Sequence, residues 1–315
     1  MKNYYLKRIL TSLLTLLVIL FLLFLLVRIV PGNPFDDEQM TPEQIELKRA
    51  EMGLDDPLLV QFGRYMKNFV KGDFGKGTSL YSGVPVKSVL KTSVKNSLLI
   101  GFAAAILGIF AGIVIGAMAA AKKKGFWPIF CSIITVAGTC LPAYVILIYL
   151  QQLFTLDIPL FPLFFDEKLY LNSMVIPAVA MAFFPAATIA RFTKNEMSQV
   201  LKSDYIRFVE SKGITGVQLM TRHVLRNSLI PLVTVIAPVF VSLLTGAAVI
   251  ENLYAINGMG RLMVEAISGA GIDYNYVLIL GIIYSAIYMV VMLLLDILYG
   301  VIDPRVSKLG EGGNA

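Results

Sequence analysis

The chain alternates between long apolar stretches and shorter polar segments. A helix that crosses a bilayer needs about 20 predominantly apolar residues. Six stretches reach that length, at residues 9–30, 97–121, 127–155, 171–192, 229–250 and 275–301. The pattern therefore predicts an all-α, polytopic membrane protein with six transmembrane helices. The first stretch follows basic residues, as a signal peptide would, but it is too long and no small-residue cleavage site follows. We interpret it as a retained helix that ends at Pro31-Gly32.

Basic residues indicate the side of the membrane on which each loop lies, because short cytoplasmic loops carry an excess of Lys and Arg. Three consecutive lysines, Lys122 to Lys124, join the second and third spans. Seven basic residues lie from Arg191 to Arg226, between the fourth and fifth spans. We therefore expect both loops in the cytoplasm. With six spans, both termini are expected there too, including a tail of residues 302–315.

Composition agrees with a membrane location and gives little support to catalysis. Hydrophobic residues make up 57% of the chain and charged residues 15%, with a mean hydropathy of +0.75, which is too apolar for a soluble domain of 315 residues. His223 is the single histidine and there are two cysteines, Cys131 and Cys140. This leaves no histidine-based metal site and no base for a membrane-embedded hydrolase. We therefore expect a protein that is not an enzyme.

A self-sufficient secondary transporter is a further alternative. It would need ionisable ion-coupling groups near the middle of the bilayer, and the predicted spans are nearly free of them. Asp296 lies within the sixth span, near its inner end. A functional role for Asp296 and a structural pairing with Arg305 both stay open.

Residues 31–96 form a long segment that we expect outside the cytoplasm as a small helical insertion. Thr41, Pro42 and Gln44 have the spacing of a capping box with a proline at the first helical position. Asp56-Pro57 predicts the start of a second short helix. A glycine-rich turn at residues 72–77 follows. It is not a phosphate-binding loop, because Gly75-Lys76 is followed by glycine rather than Ser or Thr.

Residues 193–228, which we call the 193–228 loop, have the pattern of two short helices that meet at Gly213. Apolar residues recur at helical spacing on the first helix, namely Leu201, Tyr205, Phe208 and Val209. Thr215 and Gln218 form a predicted capping box for the second helix, whose apolar side carries Val217, Met220 and Val224. The loop is either a pair of helices on the membrane surface or a docking site for a cytoplasmic partner.

Several motifs in order resemble the ABC-importer permeases, and more closely their peptide/nickel (oligopeptide/dipeptide) branch, as the first of its two permease types. They are Arg28-Ile29-Val30-Pro31-Gly32-Asn33-Pro34, Gly53-Leu54-Asp55-Asp56-Pro57, Gly72-Asp73-Phe74-Gly75, Tyr205-Ile206-Arg207 with Lys212-Gly213, His223-x-Leu225-x-Asn227, Glu251-x-x-Tyr254 with Gly258-x-Gly260, and Asp296-x-x-Tyr299 with Asp303-Pro304-Arg305. Two positions depart from the pattern. Arg207 begins a triplet that is Glu-Ala-Ala in the broader family, and Asn257 stands where the branch usually has proline.

The resemblance implies an ABC type I importer permease fold that forms half of a translocation pathway for peptides. It implies a second homologous permease, two ATP-binding subunits that use ATP and Mg, and an extracytoplasmic substrate-binding protein or lipoprotein. The chain itself is expected in the lipid bilayer of a bacterial cytoplasmic membrane, with no cofactor and no nucleic acid. Nickel or a metal chelate remains an alternative cargo, because the same branch handles both.

By the same resemblance, the 193–228 loop docks against the ATP-binding subunits. The expected coupling residues are Asp204, Tyr205, Arg207, Glu210, Lys212 and Gly213, and the expected supporting residues are Thr215, Gln218, His223 and Asn227. For His223 we expect packing and a hydrogen bond that orient the second loop helix.

We divide the chain into residues 1–30, an insertion of residues 31–96, a permease core of residues 97–301 and the tail.

Small residues and prolines indicate where helices pack or bend. Gly108, Gly112 and Gly116 form a small-residue face on the second span, which predicts close contact with another helix. Prolines interrupt the third, fourth and fifth spans at Pro142, Pro177, Pro185, Pro231 and Pro238. These three spans either line a channel or are simply kinked.

Overall fold

The computed structural model of the chain describes residues 2–29, 41–51, 53–122, 124–245, 247–268 and 272–302. Its helices are α1 (Lys2–Ile29), α2 (Pro42–Glu51), α3 (Leu58–Val70), α4 (Val86–Ala121), α5 (Phe126–Cys140), α6 (Ala143–Gln151), α7 (Tyr170–Val200), α8 (Asp204–Ser211), α9 (Gly216–Gln218), α10 (Arg226–Thr245), α11 (Ala248–Leu253), α12 (Met259–Ser268) and α13 (Tyr274–Ile302). A 3₁₀ turn at Glu167–Leu169 precedes α7, and π-helical turns at Gln152–Asp157 and Leu219–Leu225 follow α6 and α9. The predicted all-α fold is confirmed.

Among the described residues, four helical segments are long and apolar enough to cross a membrane by themselves: Ile9–Ile29, Val86–Ala121, Glu167–Val200 and Tyr274–Leu294. Two further segments are bent pairs. Phe126–Cys140 and Ala143–Asp157 meet at 106°, and Gly216–Leu229 and Pro231–Phe240 meet at 52°. Counting each bent pair as one span gives six. The first pair covers the third predicted span, 127–155, which is therefore a broken helix. The second pair bends at the start of the fifth predicted span, 229–250, so that its first helix belongs to the 193–228 loop.

Two helices extend well beyond the apolar stretches that predicted them. α4 begins at Val86 rather than near residue 97, and α7 continues to Val200 rather than ending near residue 192. Backbone hydrogen bonding does not stop where an apolar run stops, and Val86 and Leu90 are buried in the protein. The last part of the predicted 31–96 insertion is therefore the first part of α4.

The chain divides into two compact units, residues 1–97 with 257–315 and residues 98–256. In the first unit, α1, α12 and α13 share a core with the aromatic side of α3. Phe24 of α1 contacts Phe62 and Tyr65 of α3, with ring centroids 5.5 and 6.1 Å apart. Burial raises the pKa of the Tyr65 hydroxyl. α3 is thus held to the first span by aromatic packing.

The capping box predicted at the start of α2 is present. The Thr41 backbone N–H donates to Oε1 of Gln44 at 3.0 Å, and the Gln44 N–H faces Oγ1 of Thr41 at 3.4 Å. α3 begins at Leu58 with Pro57 as its N-cap residue, directly after the predicted start at Asp56-Pro57. The carboxylate of Asp56 pairs instead with Arg64.

Asp273, which the sequence analysis did not identify, fixes the turn of residues 78–80 in the first unit. Its carboxylate is fully buried. Oδ2 accepts hydrogen bonds from the backbone N–H groups of Thr78, Ser79 and Leu80 at 2.7, 3.1 and 3.1 Å. Three amide donors compensate for the loss of water around this carboxylate. Asp273 therefore ties the turn to the start of α13.

In the second unit, the three glycines of α4 lie directly against α7. A Cβ atom built on Gly108 would be 2.8 Å from Cβ of Pro185, and one on Gly112 would be 2.7 Å from Cβ of Ile189. A Cβ on Gly116 would meet the carbonyl oxygen of Ala190 at 2.5 Å. Any side chain at these positions would push the two helices apart.

Some positions of the sequence motifs lie outside the described residues. They are residues 30–34 after the first span, residues 303–305 and the remainder of the tail, and the side chain of Asp296. The end of the first span predicted at Pro31-Gly32 lies there as well.

Candidate functional site

The 193–228 loop begins as a continuation of α7. Buried Met197 lies in this extension. The chain then turns through residues 201–203, where the N–H groups of Leu201 and Ser203 donate to carbonyls of the last turn of α7 at 2.9 and 3.0 Å. The Ser203 hydroxyl also donates to the carbonyl of Val200, at 2.7 Å. α8 therefore leaves α7 through a hydrogen-bonded turn.

α8 is anchored by a small apolar core of its own. Ile206 and Val209 are 1% and 5% exposed. They cluster with buried residues from α4, α7 and the second part of the loop, namely Ala120, Met197, Leu219 and Val224. Burying an aliphatic side chain of this size contributes about 1.5–3 kcal/mol. This core joins α8 to the ends of α4 and α7, which are two of the long apolar helices.

The buried side of α8 differs from the predicted one. Tyr205 and Phe208 were expected on the apolar face, but they are 46% and 59% exposed. Val209 is buried as predicted, together with Ile206. The two aromatic rings were assigned by hydrophobicity, whereas burial is decided by the position of α7 and α4 around the helix. Both rings consequently lie on the outer surface of the loop.

Charged side chains surround these exposed rings. Arg207 Nη1 lies 3.3 Å from Oδ1 of Asp204, in a pair that is almost fully exposed. Nζ of Lys212 lies 4.5 Å from the centroid of the Phe208 ring, within cation–π range. Glu210 is also exposed. The outer surface of α8 therefore combines two aromatic rings with charges of both signs.

Gly213 ends α8 in a left-handed backbone conformation, with φ at +84°. Its N–H donates to the carbonyl of Glu210 at 2.9 Å. No described atom lies within 4 Å of a Cβ built there, so glycine is favoured by backbone conformation and not by lack of space within this chain. Gly216, which the sequence analysis did not single out, is also left-handed, with φ at +64°.

The second part of the loop begins after Thr215 as predicted, but the predicted capping box does not form. The Thr215 side chain makes no capping hydrogen bond, and Gln218 is exposed. Asn227 is exposed too. Gly216, the first residue of α9, has a left-handed conformation, which alters the geometry that a capping box requires.

His223 connects the two parts of the loop. Its Nδ1 lies 2.7 Å from the hydroxyl of Tyr205, which is the hydrogen bond expected to orient the second loop helix. Val224, the next residue, is fully buried against α8. The structure thus brings Tyr205 and His223 together, and places Asp204, Arg207, Glu210 and Lys212 on the adjoining surface.

The exposed side chains form a surface of aromatic rings and charges, and the buried ones attach it to α4 and α7. Because packed interiors deform little, a displacement of α8 would carry the ends of α4 and α7 with it.

Tyr254, from another motif, has a structural role within the second unit. Its hydroxyl donates to the carbonyl of Pro162 at 2.6 Å, and its own carbonyl accepts from the N–H of Phe165 at 2.9 Å. Burial raises the pKa of the Tyr254 hydroxyl to about 12. The two hydrogen bonds hold the segment before α7 against the end of α11.

Comparisons with known proteins cover nearly the whole chain. Residues 112–308 match the family described as "Binding-protein-dependent transport system inner membrane component", and residues 1–97 match the family described as "Binding-prot-dependent transport system membrane comp, N-term". The chain is 35% identical to the dipeptide transport system permease protein DppB of Bacillus subtilis over 314 residues, which is 99% of this chain and 100% of the relative.

Other relatives have similar coverage. DppB of Lactococcus lactis is 34% identical over 97% of this chain and 99% of its own length. The oligopeptide transport system permease protein OppB of Escherichia coli K12 is 31% identical over 97% of this chain and 99% of its own length. A chain of the MetNI methionine ABC transporter has a TM-score of 0.47 at 16% identity, covering 71% of this chain and 95% of that one, a likeness too distant to bear on the assignment.

Proposed function

This chain belongs to the family of binding-protein-dependent transport system inner membrane components, and from that premise we propose that it imports peptides as one half of an ATP-driven importer. It is a permease subunit of an ABC importer and not an enzyme. The peptide cargo is supported by the names of the relatives, which are dipeptide and oligopeptide permeases at 31–35% identity.

The 193–228 loop is proposed as the point where ATP hydrolysis by partner subunits acts on this chain. The observation that carries this proposal is the two-sided structure of α8. One side, with Ile206 and Val209, is buried against the ends of α4 and α7, and the other side exposes Tyr205 and Phe208 among charges. Closure of the ATP-binding subunits would press on the exposed side and move the long helices.

The partners follow from alternating access, which needs two halves that rock about a central pathway. We propose a second homologous permease, two ATP-binding subunits that use ATP and Mg, and an extracytoplasmic binding protein or lipoprotein that delivers cargo. In this arrangement both termini and the 193–228 loop face the cytoplasm, and residues 31–96 begin the extracytoplasmic surface, in the bacterial cytoplasmic membrane.

Uptake into vesicles tests the cargo. The complete importer, reconstituted in proteoliposomes with its binding protein, should accumulate a radiolabelled dipeptide or oligopeptide only when ATP is present. Unlabelled peptide should compete with this uptake, and nickel ions or a nickel chelate should not. Accumulation of nickel with no peptide uptake would contradict the proposed cargo and support the metal-importing alternative.

A further inference from the structure

The second unit contains a cavity of about 490 Å³ beside the break between α5 and α6. The last residues of α5, the first of α6, and parts of α7, α10 and α11 line it. Ligand sites commonly have volumes of about 300–1,000 Å³. The close packing of Gly138 on Ala187 holds the end of α5 against α7 at this place.

Two prolines each remove a hydrogen-bond donor at the wall of this cavity. In a continuous helix, residue 142 would donate to the carbonyl of Gly138 and residue 185 to that of Met181, but both residues are prolines and have no N–H. Gly138 and Met181 both line the cavity. The carbonyls of Thr139 and Cys140 belong to the last turn of α5, where carbonyls have no intrahelical donor.

The hydroxyl groups at the cavity also present acceptors. The Thr139 hydroxyl donates its proton to the carbonyl of Thr135 at 2.8 Å, and the Ser242 hydroxyl donates to that of Val239 at 2.8 Å. Their oxygen lone pairs remain available. Among the described residues that line the cavity, none carries a charge. The wall therefore offers acceptors from the end of α5 and, at Ala143, a backbone donor from the start of α6, where the first N–H groups also lack intrahelical partners.

The position of the break, between two apolar helices, makes these acceptors significant. Phe126–Cys140 and Ala143–Asp157 together form an apolar pair long enough to span a membrane, so the break lies near the middle of that pair. Irregular backbone at membrane depth is tolerated where it is buried in protein or lines a water-filled cavity. A carbonyl left without a donor in an apolar environment is destabilising, so a ligand that donates to it is favoured.

We propose that this cavity is a binding subsite for a peptide in transit, in which the carbonyls of Gly138, Thr139, Cys140 and Met181 accept hydrogen bonds from the peptide's N–H groups and amino terminus. The inference rests on the proposed peptide import. These acceptors contact groups common to every peptide. The remaining wall is apolar, with Leu141 and Phe184 partly exposed, so it imposes little selection on side chains.

Cys140 provides a probe for this subsite, because it lines the cavity and its thiol is exposed, whereas Cys131 is buried. Cys131→Ala leaves Cys140 as the single thiol of the chain. The variant, assembled with all partner subunits in proteoliposomes, is treated with a charged, membrane-impermeant methanethiosulfonate, and labelling of this subunit is followed with time. Peptide-loaded binding protein with ATP is compared with empty binding protein with ATP.

We expect the charged reagent to label Cys140, and peptide to slow that labelling. The slowing should increase with the concentration of peptide-loaded binding protein and reach a plateau, as occupancy of one site requires. Two results would overturn the subsite. One is labelling by a lipid-soluble maleimide but not by the charged reagent, since Cys140 would then face lipid or the second permease. The other is labelling at one rate with and without peptide.

Filling the cavity gives a second test. Ser242→Phe should abolish both peptide uptake and the protection of Cys140, while Ile133→Phe, at an exposed position of α5 outside the cavity, should preserve both. Normal uptake by Ser242→Phe would contradict the subsite alone. Absence of peptide uptake by the unaltered importer would instead contradict the proposed function, so the two failures are distinguishable.

Discussion

The hydroxyl of Tyr205 lies 2.7 Å from Nδ1 of His223, across the two parts of the 193–228 loop. The two residues are 18 positions apart and belong to segments that are separated by left-handed glycines. Their contact makes the two parts of the loop one unit, since α8 also packs on Val224 beside His223. A hydrogen bond in this position can hold α8 in a fixed orientation relative to the start of α10.

The first prediction concerns this hydrogen bond. Tyr205→Phe and His223→Ala should each lower peptide-stimulated ATP hydrolysis by about fivefold, because a hydrogen bond of this kind contributes about 1 kcal/mol. The double variant should be no worse than the more affected single variant, because both changes remove the same interaction. Rates of ATP hydrolysis in proteoliposomes provide the measurement. Additive effects would show that the two residues act independently.

A second prediction concerns the charges beside the exposed rings. Glu210→Lys combined with Lys212→Glu reverses two exposed charges and leaves the buried face of α8 unchanged. Insertion and abundance should be normal, while ATP hydrolysis no longer drives uptake, because the charge pattern offered to the ATP-binding subunits is altered. Glu46→Lys on α2 is the matched control and should preserve uptake. Normal uptake by the loop double variant would contradict the docking role.

Gly213 allows backbone strain to be distinguished from docking. Because φ is +84° with open space around a Cβ, Asn should be tolerated better than Val, which is β-branched and rarely adopts this conformation. Gly213→Val should lower uptake at least tenfold, corresponding to about 1.4 kcal/mol, with normal membrane abundance. Gly213→Asn should retain most activity. An equal loss in both variants would indicate that a partner occupies the space beside Gly213.

Substitutions of two glycines, Gly112 in α4 and Gly63 in α3, should change the stability of the subunit in opposite directions. Gly112→Leu should destabilise the subunit by about 1–3 kcal/mol, since its Cβ would meet Ile189 at 2.7 Å and the helices must separate. Gly63→Ala in α3 meets no described atom within 4 Å and should stabilise by up to about 1 kcal/mol. Thermal unfolding of the detergent-solubilised subunit measures both. Equal melting temperatures for Gly112→Leu and the unaltered chain would contradict the packing role.

Much of the fold was predictable because apolar length is a local property. Four of the six apolar stretches correspond to long helices and one to a bent pair, while the stretch at 229–250 begins at the bend of a second pair. Their ends were less predictable, as α4 begins at Val86 among lysines that an apolar criterion rejects. Pro142 was recognised as an interruption, yet the 106° bend and the cavity beside it depend on how α7 and α10 pack around it.

The sequence did not predict which side of α8 is buried. Helical spacing assigned Tyr205, Phe208 and Val209 to the buried side because they are apolar. Of these three, Val209 is buried, and Ile206 rather than the two aromatic residues packs beside it against α4 and α7. Both sides of α8 carry apolar residues, so the side that is buried is decided by tertiary contacts with α4 and α7. Asp273 was overlooked for a similar reason: its hydrogen-bond partners, residues 78–80, are more than 190 positions away along the chain.

Asp273 is the subject of the last prediction. Asp273→Ala removes the acceptor for three backbone N–H groups in a buried site, and hydrogen bonds to a charged group contribute about 1.5–3 kcal/mol each. The turn at residues 78–80 should open, exposing it to protease in the folded, detergent-solubilised importer. Asp273→Asn keeps one carbonyl oxygen as acceptor and should show intermediate cleavage.

Asp55→Ala, at an exposed carboxylate whose ion pair with Arg49 lies at the surface, is the control and should leave the cleavage rate at this turn unchanged. Cleavage of Asp273→Ala at the rate of the unaltered chain would show that the turn is held by other contacts, such as the hydrogen bond from Asn275 to the carbonyl of Lys76 at 2.8 Å.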